Sequence, residues 1–80
     1  MKLNNDVEIS EIDETTLKIV GKANVTRRLF EQAEKDVFSI HFKGGKSLEV
    51  GQNIDGFIVE HIEHFDNQEE SFFIIKGKKA

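Results

Sequence analysis

The sequence predicts an all-β domain with at most one short helix, folded as a small antiparallel barrel or sandwich. Three observations lead to this prediction. Short apolar runs alternate with polar residues at a period of two, which is the period of a half-buried strand. Segments rich in Gly, Asp and Asn separate these runs and favour turns. No two runs are joined by a long helical segment, which argues against a parallel sheet.

The first two runs predict a hairpin. Residues 7–10 and 15–20 alternate apolar and polar side chains, and Asp13-Glu14 lies between them at the expected turn. Ile12 is out of phase with the apolar residues of the first run, which indicates a bulge or the end of the strand.

Residues 24–37 fit two interpretations. As a helix, they place apolar residues at i, i+3 and i+7 from Phe30, with Thr26 as a possible cap. As a strand, they place Thr26 and Phe30 on one face. We favour a strand over residues 24–30, followed by a short helical turn over residues 31–36.

The clearest strand covers residues 37–43, where Phe38, Ile40 and Phe42 share the inward face. Gly44-Gly45 follows and fits a two-residue hairpin turn, which requires positive φ angles. We therefore expect a hairpin between this strand and residues 46–50.

The C-terminal half predicts two further strands. Residues 57–65 carry apolar side chains on both faces, so this strand bends or contains a bulge. The second strand covers residues 71–76, and its four consecutive apolar residues require burial on both faces or one face that covers a partner.

One segment points to a particular architecture. Residues 48–59 read L-E-V-G-Q-N-I-D-G-F-I-V. This segment resembles the phrase hydrophobic-x-V-G-x-x-I-x-G-hydrophobic-x-V, which recurs as strand–turn–strand in small SH3-like barrels. The resemblance covers about a dozen residues and implies an SH3-like barrel rather than an open sandwich. It carries no functional residue over to this chain.

Length and composition exclude several classes of protein. Eighty residues make one domain, residues 1–80, with a thin core. The absence of Cys excludes disulfides and thiolate chemistry, and it suits a reducing cytoplasm. No apolar run approaches the roughly 20 residues of a membrane helix, and the N-terminal residues lack an apolar signal core. We therefore expect a cytoplasmic protein without a membrane segment.

Charge is distributed unevenly along the chain. Residues 1–16 carry a net charge of −4, residues 17–46 carry +4, residues 47–75 carry −7 and the last five residues carry +3, which sum to −4. Pairing of opposite charges across strands explains this pattern, and so does a bipolar surface that docks a charged partner. The acidic residues 47–75 are few for a mimic of nucleic acid.

Catalytic and metal chemistry have little support in the sequence. His61 and His64 have the spacing of metal ligands on a helix, but on a strand their side chains diverge. His61, Glu63 and His41 can share one sheet face, which leaves a metal site geometrically possible. No nucleophile elbow, phosphate-binding loop or H-E-x-x-H motif is present. We expect a protein that is not an enzyme and that needs no metal or cofactor.

Binding is the function that remains. We expect a small interaction module that binds a protein partner, or forms a homodimer, because a thin domain has difficulty burying all the apolar residues of its C-terminal half. The predicted binding residues are Phe57, Ile58, Glu60, Ile62, Glu63, Phe72 and Phe73.

The alternative is a barrel that binds nucleic acid through its basic segment. Phe30 or Phe42 would stack on bases. The residues predicted to contact phosphates are Lys18, Lys22, Arg27, Arg28, Lys43 and Lys46.

Overall fold

The computed structural model describes residues 6–33, 39–42, 46–67 and 69–80, and these residues form antiparallel strands and one short helix. The all-β prediction is confirmed. In chain order the elements are β1 Val7–Asp13, β2 Thr16–Gly21, α1 Ala23–Gln32, β3 Ser39–His41, β4 Ser47–Glu49, β5 Asn53–Ile54, β6 Phe57–Asp66 and β7 Ser71–Lys79.

Five of the strands form one antiparallel sheet in the order β1-β2-β7-β6-β5. The sheet is strongly curled and forms a half-barrel, which is compatible with the predicted small barrel. The β3–β4 hairpin is a separate two-stranded sheet. The C-terminal strand β7 is the middle strand of the five, so it is paired on both sides and lies at the centre of the sheet.

The predicted β1–β2 hairpin is present, but its turn lies one residue later than the predicted Asp13-Glu14, because Asp13 still belongs to β1. Asp13 pairs with Thr16, which leaves Glu14 and Thr15 as the two turn residues. The Asp13 carboxylate accepts hydrogen bonds from the backbone N–H of Thr15 at 2.8 Å and from its hydroxyl at 3.0 Å, and these bonds lower the pKa of Asp13. The strand register shifts between Glu11 and Asp13, so the bulge predicted at Ile12 is also present, and Ile12 is 57% exposed.

The strand predicted over residues 24–30 is wrong, because this segment lies in helix α1. Thr26 and Leu29 are buried, while Val25 and Phe30 pack partly buried against the core. These four residues form one helical face with i, i+1, i+4 and i+5 spacing. Thr26 does not cap the helix: it lies inside the first turn, and Lys22 holds the N-cap position without a side-chain hydrogen bond.

Strands β3 and β4 pair in antiparallel register, as expected for the predicted hairpin. Ile40 pairs with Leu48, and both side chains are fully buried or nearly so. Phe42 is buried as predicted, and its N–H donates to the carbonyl of Lys46 at 2.7 Å. The predicted Gly44-Gly45 turn and Phe38 lie outside the described residues.

A bulge at Glu60 changes the face on which the residues of β6 point. Val59 pairs with Gly77 and His61 pairs with Lys76, so two residues of β6 oppose one residue of β7. Before the bulge the odd-numbered residues point inward, and after it the even-numbered residues do. This bulge confirms the prediction made from the mixed apolar pattern.

The core lies on the concave side of the curled sheet, beneath α1 and the β3–β4 hairpin. β7 contributes Phe73 and Ile75, which are both 0% exposed, and β2 contributes Ile19, also 0% exposed. The remaining buried apolar residues are Val7, Ile9, Leu29, Ile40, Phe42, Leu48, Phe57, Val59 and Ile62.

Candidate binding surface

The convex side of the sheet presents a mixed apolar and charged surface, which we call the outer face. It consists of the side chains of β2, β7 and β6 that point away from the core. In the register of the sheet these include Thr16 and Lys18 on β2, then Phe72, Ile74, Lys76 and Lys78 on β7, and Ile58, His61, Glu63 and Phe65 on β6.

An aromatic pair lies at one end of the outer face. Phe65 and Phe72 are directly opposite each other across β6 and β7, and their rings stack with centroids 5.5 Å apart. Phe65 is 44% exposed, a large fraction for a phenylalanine. The ammonium of Lys18 lies 4.4 Å from the centroid of the Phe72 ring, which is cation–π geometry.

A row of charged and apolar residues lies next to this aromatic pair. Lys18 pairs with Ile74, and Ile74 pairs with Glu63, so one row across the sheet reads cation, apolar, anion. Glu63 in turn lies 2.9 Å from Nε2 of His61, on the same side of β6.

Only part of the predicted binding set lies on this surface. Ile58, Glu63 and Phe72 belong to the outer face, and Glu60 is exposed at the bulge. The other three are core residues and are unavailable to a partner in this fold: Phe57 is 9% exposed, Ile62 4% and Phe73 0%.

Phe65 and Ile74 are on the outer face but are not in the predicted binding set, and Lys18 belongs to the predicted basic set. Phe65 shares its odd numbering with the buried Phe57 and Val59, and only the position of the bulge separates them. The signal in the sequence was the break in apolar alternation between Val59 and Ile62.

The predicted basic set is divided between two sides of the sheet. Lys18 lies on the outer face, whereas Arg27 and Arg28 belong to α1, which packs against the core side. Lys22 is at the N-cap of α1, Lys46 precedes β4, and Lys43 lies outside the described residues. Neither predicted stacking ring is free, because Phe42 is 4% exposed and Phe30 stacks on His64.

A second group of polar residues joins α1 to the end of the β6–β7 hairpin. His64 lies between Phe30 and Phe73, with ring centroids 4.1 Å and 4.8 Å away. Its Nε2 is 2.6 Å from the hydroxyl of Ser71. Burial lowers the pKa of His64, the nearby Asp66 carboxylate opposes that shift, and Arg27 adds to it.

The His64–Ser71 contact has the geometry of a base beside a hydroxyl nucleophile, but Ser71 is 2% exposed. A substrate therefore has no access to the hydroxyl. The nearest carboxylate, Asp66, accepts hydrogen bonds from Arg27 Nε at 2.9 and 3.1 Å, which lowers the pKa of Asp66. The contact between Arg27 and Asp66 joins the helix to the sheet.

The histidine pair also lacks the geometry of a metal site. His61 points outward and His64 points toward the core, as expected for positions i and i+3 on a strand. Across the described ranges of the chain, no group of three or more His, Cys, Asp and Glu side chains is arranged to hold a metal ion. The same ranges contain no helix that is long and apolar enough to cross a membrane.

Two clefts lie away from the outer face. A cleft of about 490 Å³ lies between the β1–β2 turn and the β5–β6 turn, and apolar residues, acidic residues and Lys79 line it. A second cleft of about 590 Å³ lies between the start of β1, α1 and β3, and both His41 and Arg28 line it.

Comparisons of the chain with models of known families, with curated proteins and with solved structures give no match.

Proposed function

We propose that this chain is a non-enzymatic interaction module that binds protein through its outer face. The observation that carries the proposal is the stacked Phe65–Phe72 pair, in which Phe65 is exposed and Phe72 is half-buried, on a sheet whose opposite side holds the core. Ile74 and Ile58 add half-buried apolar surface to the same side. Contiguous apolar surface rimmed by charges is typical of protein-binding sites, because its burial releases ordered water.

The composition of the outer face supports a protein partner. Aromatic side chains are enriched in the buried centre of protein interfaces, and charged residues gather at their rim. Phe65 and Phe72 lie at one end of the outer face, and Lys18 and Glu63 lie in the neighbouring row on either side of Ile74. We retain the SH3-like assignment and the cytoplasmic location as parts of this proposal, since the segment 48–59 and the absence of Cys favour them.

A second candidate is binding of single-stranded nucleic acid on the same face. The observation that favours it is the ammonium of Lys18 over the ring of Phe72, beside the exposed Phe65. Bases stack on such rings, and Lys76 and Lys78 extend the positive charge along β7. The net charge of −4 and Glu63 on the same row weigh against this candidate.

Site-specific photo-crosslinking separates these candidates. A benzophenone amino acid is placed at position 72 on the outer face, and the matched control is placed at Arg28, which is exposed on α1. After irradiation of the cells that make the protein, we expect protein adducts of discrete mass from position 72 and none of them from position 28. A nuclease-sensitive adduct would favour the nucleic-acid candidate. Identical patterns from the two positions would overturn the proposed function.

A further inference from the structure

We propose that the outer face binds the outer face of a second copy of this chain, around a two-fold axis that runs along β7. In this arrangement Lys18 of each copy lies opposite Glu63 of the other copy. The inference rests on the proposed function of the outer face, and it names the partner.

The pattern of charge across the sheet is the first step. Lys18, Ile74 and Glu63 are direct neighbours on β2, β7 and β6. Adjacent strands are about 4.8 Å apart, so the backbone positions of Lys18 and Glu63 flank Ile74 at similar distances on its two sides. The row is therefore positive on the β2 side of β7 and negative on the β6 side. Within one chain the ammonium of Lys18 leans toward Phe72 and the carboxylate of Glu63 leans toward His61, so the contact between copies requires both side chains to turn toward the partner.

Symmetry converts this pattern into a complementary interface. A two-fold axis along β7 places the β2 side of one copy against the β6 side of the other, and it places Ile74 opposite Ile74. Lys18 then faces Glu63 twice in the dimer. A two-fold axis across the strands would instead place Lys18 opposite Lys18 and Glu63 opposite Glu63. The charges thus favour the axis along β7 over the axis across it.

The curvature of the sheet is compatible with both axes, because each of them aligns the two crests along the strands, so the charges alone decide between them. β7 is the middle strand of a strongly curled sheet, so it forms the crest of the convex side. Two convex surfaces make their longest contact when their crests lie side by side along the strands. Sheets that pack face to face also keep their strands within about 30° of each other.

This axis places every outward residue of β7 opposite its own symmetry mate, including the charged residues Lys76 and Lys78. The ammonium of Lys76 donates a hydrogen bond to the hydroxyl of Thr16 at 3.1 Å, which draws it from β7 toward β2. The two-fold axis therefore directs the two Lys76 ammonium groups to opposite sides of the crest. The two Lys78 residues lie at one end of the contact, and Ile74 and Phe72 occupy its centre.

The contact is confined to the central strands of a curved sheet, so the dimer is weak. A stable interface of standard size buries about 800 Å² on each partner, and a crest of three strands offers less. We expect a dissociation constant of about 10 μM or higher, which sets the concentration range of the test.

The test uses two charge reversals, Lys18→Glu and Glu63→Lys, alone and mixed. Sedimentation equilibrium is measured on the full chain from about 1 μM to 1 mM, a range that spans the expected weak association. We expect concentration-dependent dimers of the unmodified chain, and at least tenfold weaker association for each variant alone. Each single variant places two pairs of like charges in the interface.

The equimolar mixture is the decisive sample. In the mixed dimer Glu at position 18 of one variant faces Lys at position 63 of the other, and the remaining Lys18 faces the remaining Glu63. Both contacts are attractive again, so we expect the mixture to dimerise within about threefold of the unmodified chain. A loss of folding in one variant would prevent this recovery. Circular dichroism checks folding, and Arg28→Glu on α1 is a control that leaves association unchanged.

Two results would overturn the inference. One is an unmodified chain that stays monomeric up to the highest concentration, and the other is a mixture that associates no better than the single variants. In either case, photo-crosslinks from position 72 to a protein of different mass would leave the proposed function standing. If position 72 gave no protein crosslinks, both the dimer inference and the proposed function would be overturned.

Discussion

The hydroxyl of Thr26 donates a hydrogen bond to the backbone carbonyl of Ser71 at 2.8 Å, and this bond joins α1 to the first residue of β7. Thr26 is 0% exposed and also lies 3.2 Å from the carbonyl of Ala23 in its own helix. Among the described residues, no buried side-chain nitrogen or oxygen lacks a hydrogen-bond partner. The buried polar side-chain atoms at this contact between helix and sheet therefore all have hydrogen-bond partners.

Replacement of Thr26 by Val should destabilise the fold. Valine keeps the shape of threonine but removes the hydroxyl that bonds to Ser71. Loss of such a buried hydrogen bond costs about 1–3 kcal/mol. Urea unfolding measures the change, with Arg28→Ala as an exposed control on the same helix that should change stability by less than about 0.5 kcal/mol. Equal stability of the two variants would contradict this role of Thr26.

The pair formed by Arg27 and Asp66 should be visible in the titration of Asp66. Arg27 Nε donates to both carboxylate oxygens, and Nη2 donates to the carbonyl of Asn67 at 2.8 Å. These donors lower the pKa of Asp66 below its ordinary value of 3.8. NMR titration should give a midpoint below 3.8, and the Arg27→Gln variant should raise it. The Arg28→Gln variant should leave the titration midpoint of Asp66 unchanged. An equal shift in that variant would mean that any loss of a nearby positive charge raises the midpoint, and that the hydrogen bonds from Arg27 are not its cause.

His64 should make the fold less stable as the pH falls. Burial between Phe30 and Phe73 lowers its folded pKa below the ordinary 6.5 of the unfolded chain. The folded state therefore favours the neutral ring. Its contribution is complete above about pH 6.5, declines as the unfolded chain binds protons, and is lost once the pH has fallen through the lower folded pKa.

Urea unfolding at pH 7.5 and pH 5.0 tests this linkage. The unmodified chain should lose stability between the two values, and His64→Gln should lose less. His41→Gln is the matched control, because His41 is exposed on β3. If the His64→Gln variant retains the full pH dependence, the effect comes from other groups.

Much of the sheet could be predicted from local patterns, because strand alternation and turn residues depend on neighbours in sequence. The β1–β2 hairpin, the bulge at Ile12 and the burial of Ile40 and Phe42 follow from such patterns. The helix was harder to predict, because Thr26 and Val25 are β-branched and suit a strand as well. Their burial against β7 decides the conformation, and that contact joins residues 45 positions apart.

The binding surface was only partly predictable for a related reason. A mixed apolar pattern predicts a bulge in β6, but it does not specify the residue at which the bulge occurs. The bulge lies at Glu60, so Phe57 and Ile62 are both buried and Phe65 points outward. Bulge position depends on the pairing with β7, which is a tertiary interaction.

Gly77 is the residue on β7 that accommodates this bulge. It pairs with Val59, and a Cβ atom at this position would overlap the backbone carbonyl oxygen of Ile58 and lie 2.7 Å from the ring of Phe57. Backbone atoms cannot rotate away from such an overlap as a side chain can. We therefore expect Gly77→Ala to destabilise the fold by about 3 kcal/mol, at the upper end of the usual cost of overpacking.

Thermal and urea unfolding of Gly77→Ala measure this cost, and Lys78→Ala is the control because its side chain is exposed on the same strand. Amide hydrogen exchange gives a more local measure. Relief of the overlap requires β6 and β7 to separate near the bulge, so the amides that bond between these two strands beside Val59 and Gly77 should exchange faster in the variant. The amide of Val59 donates to the carbonyl of Gln52 at 2.9 Å, outside this pairing, and should change less. An alanine variant with unchanged stability and exchange would show that the two strands lie farther apart at Gly77 than this close packing requires.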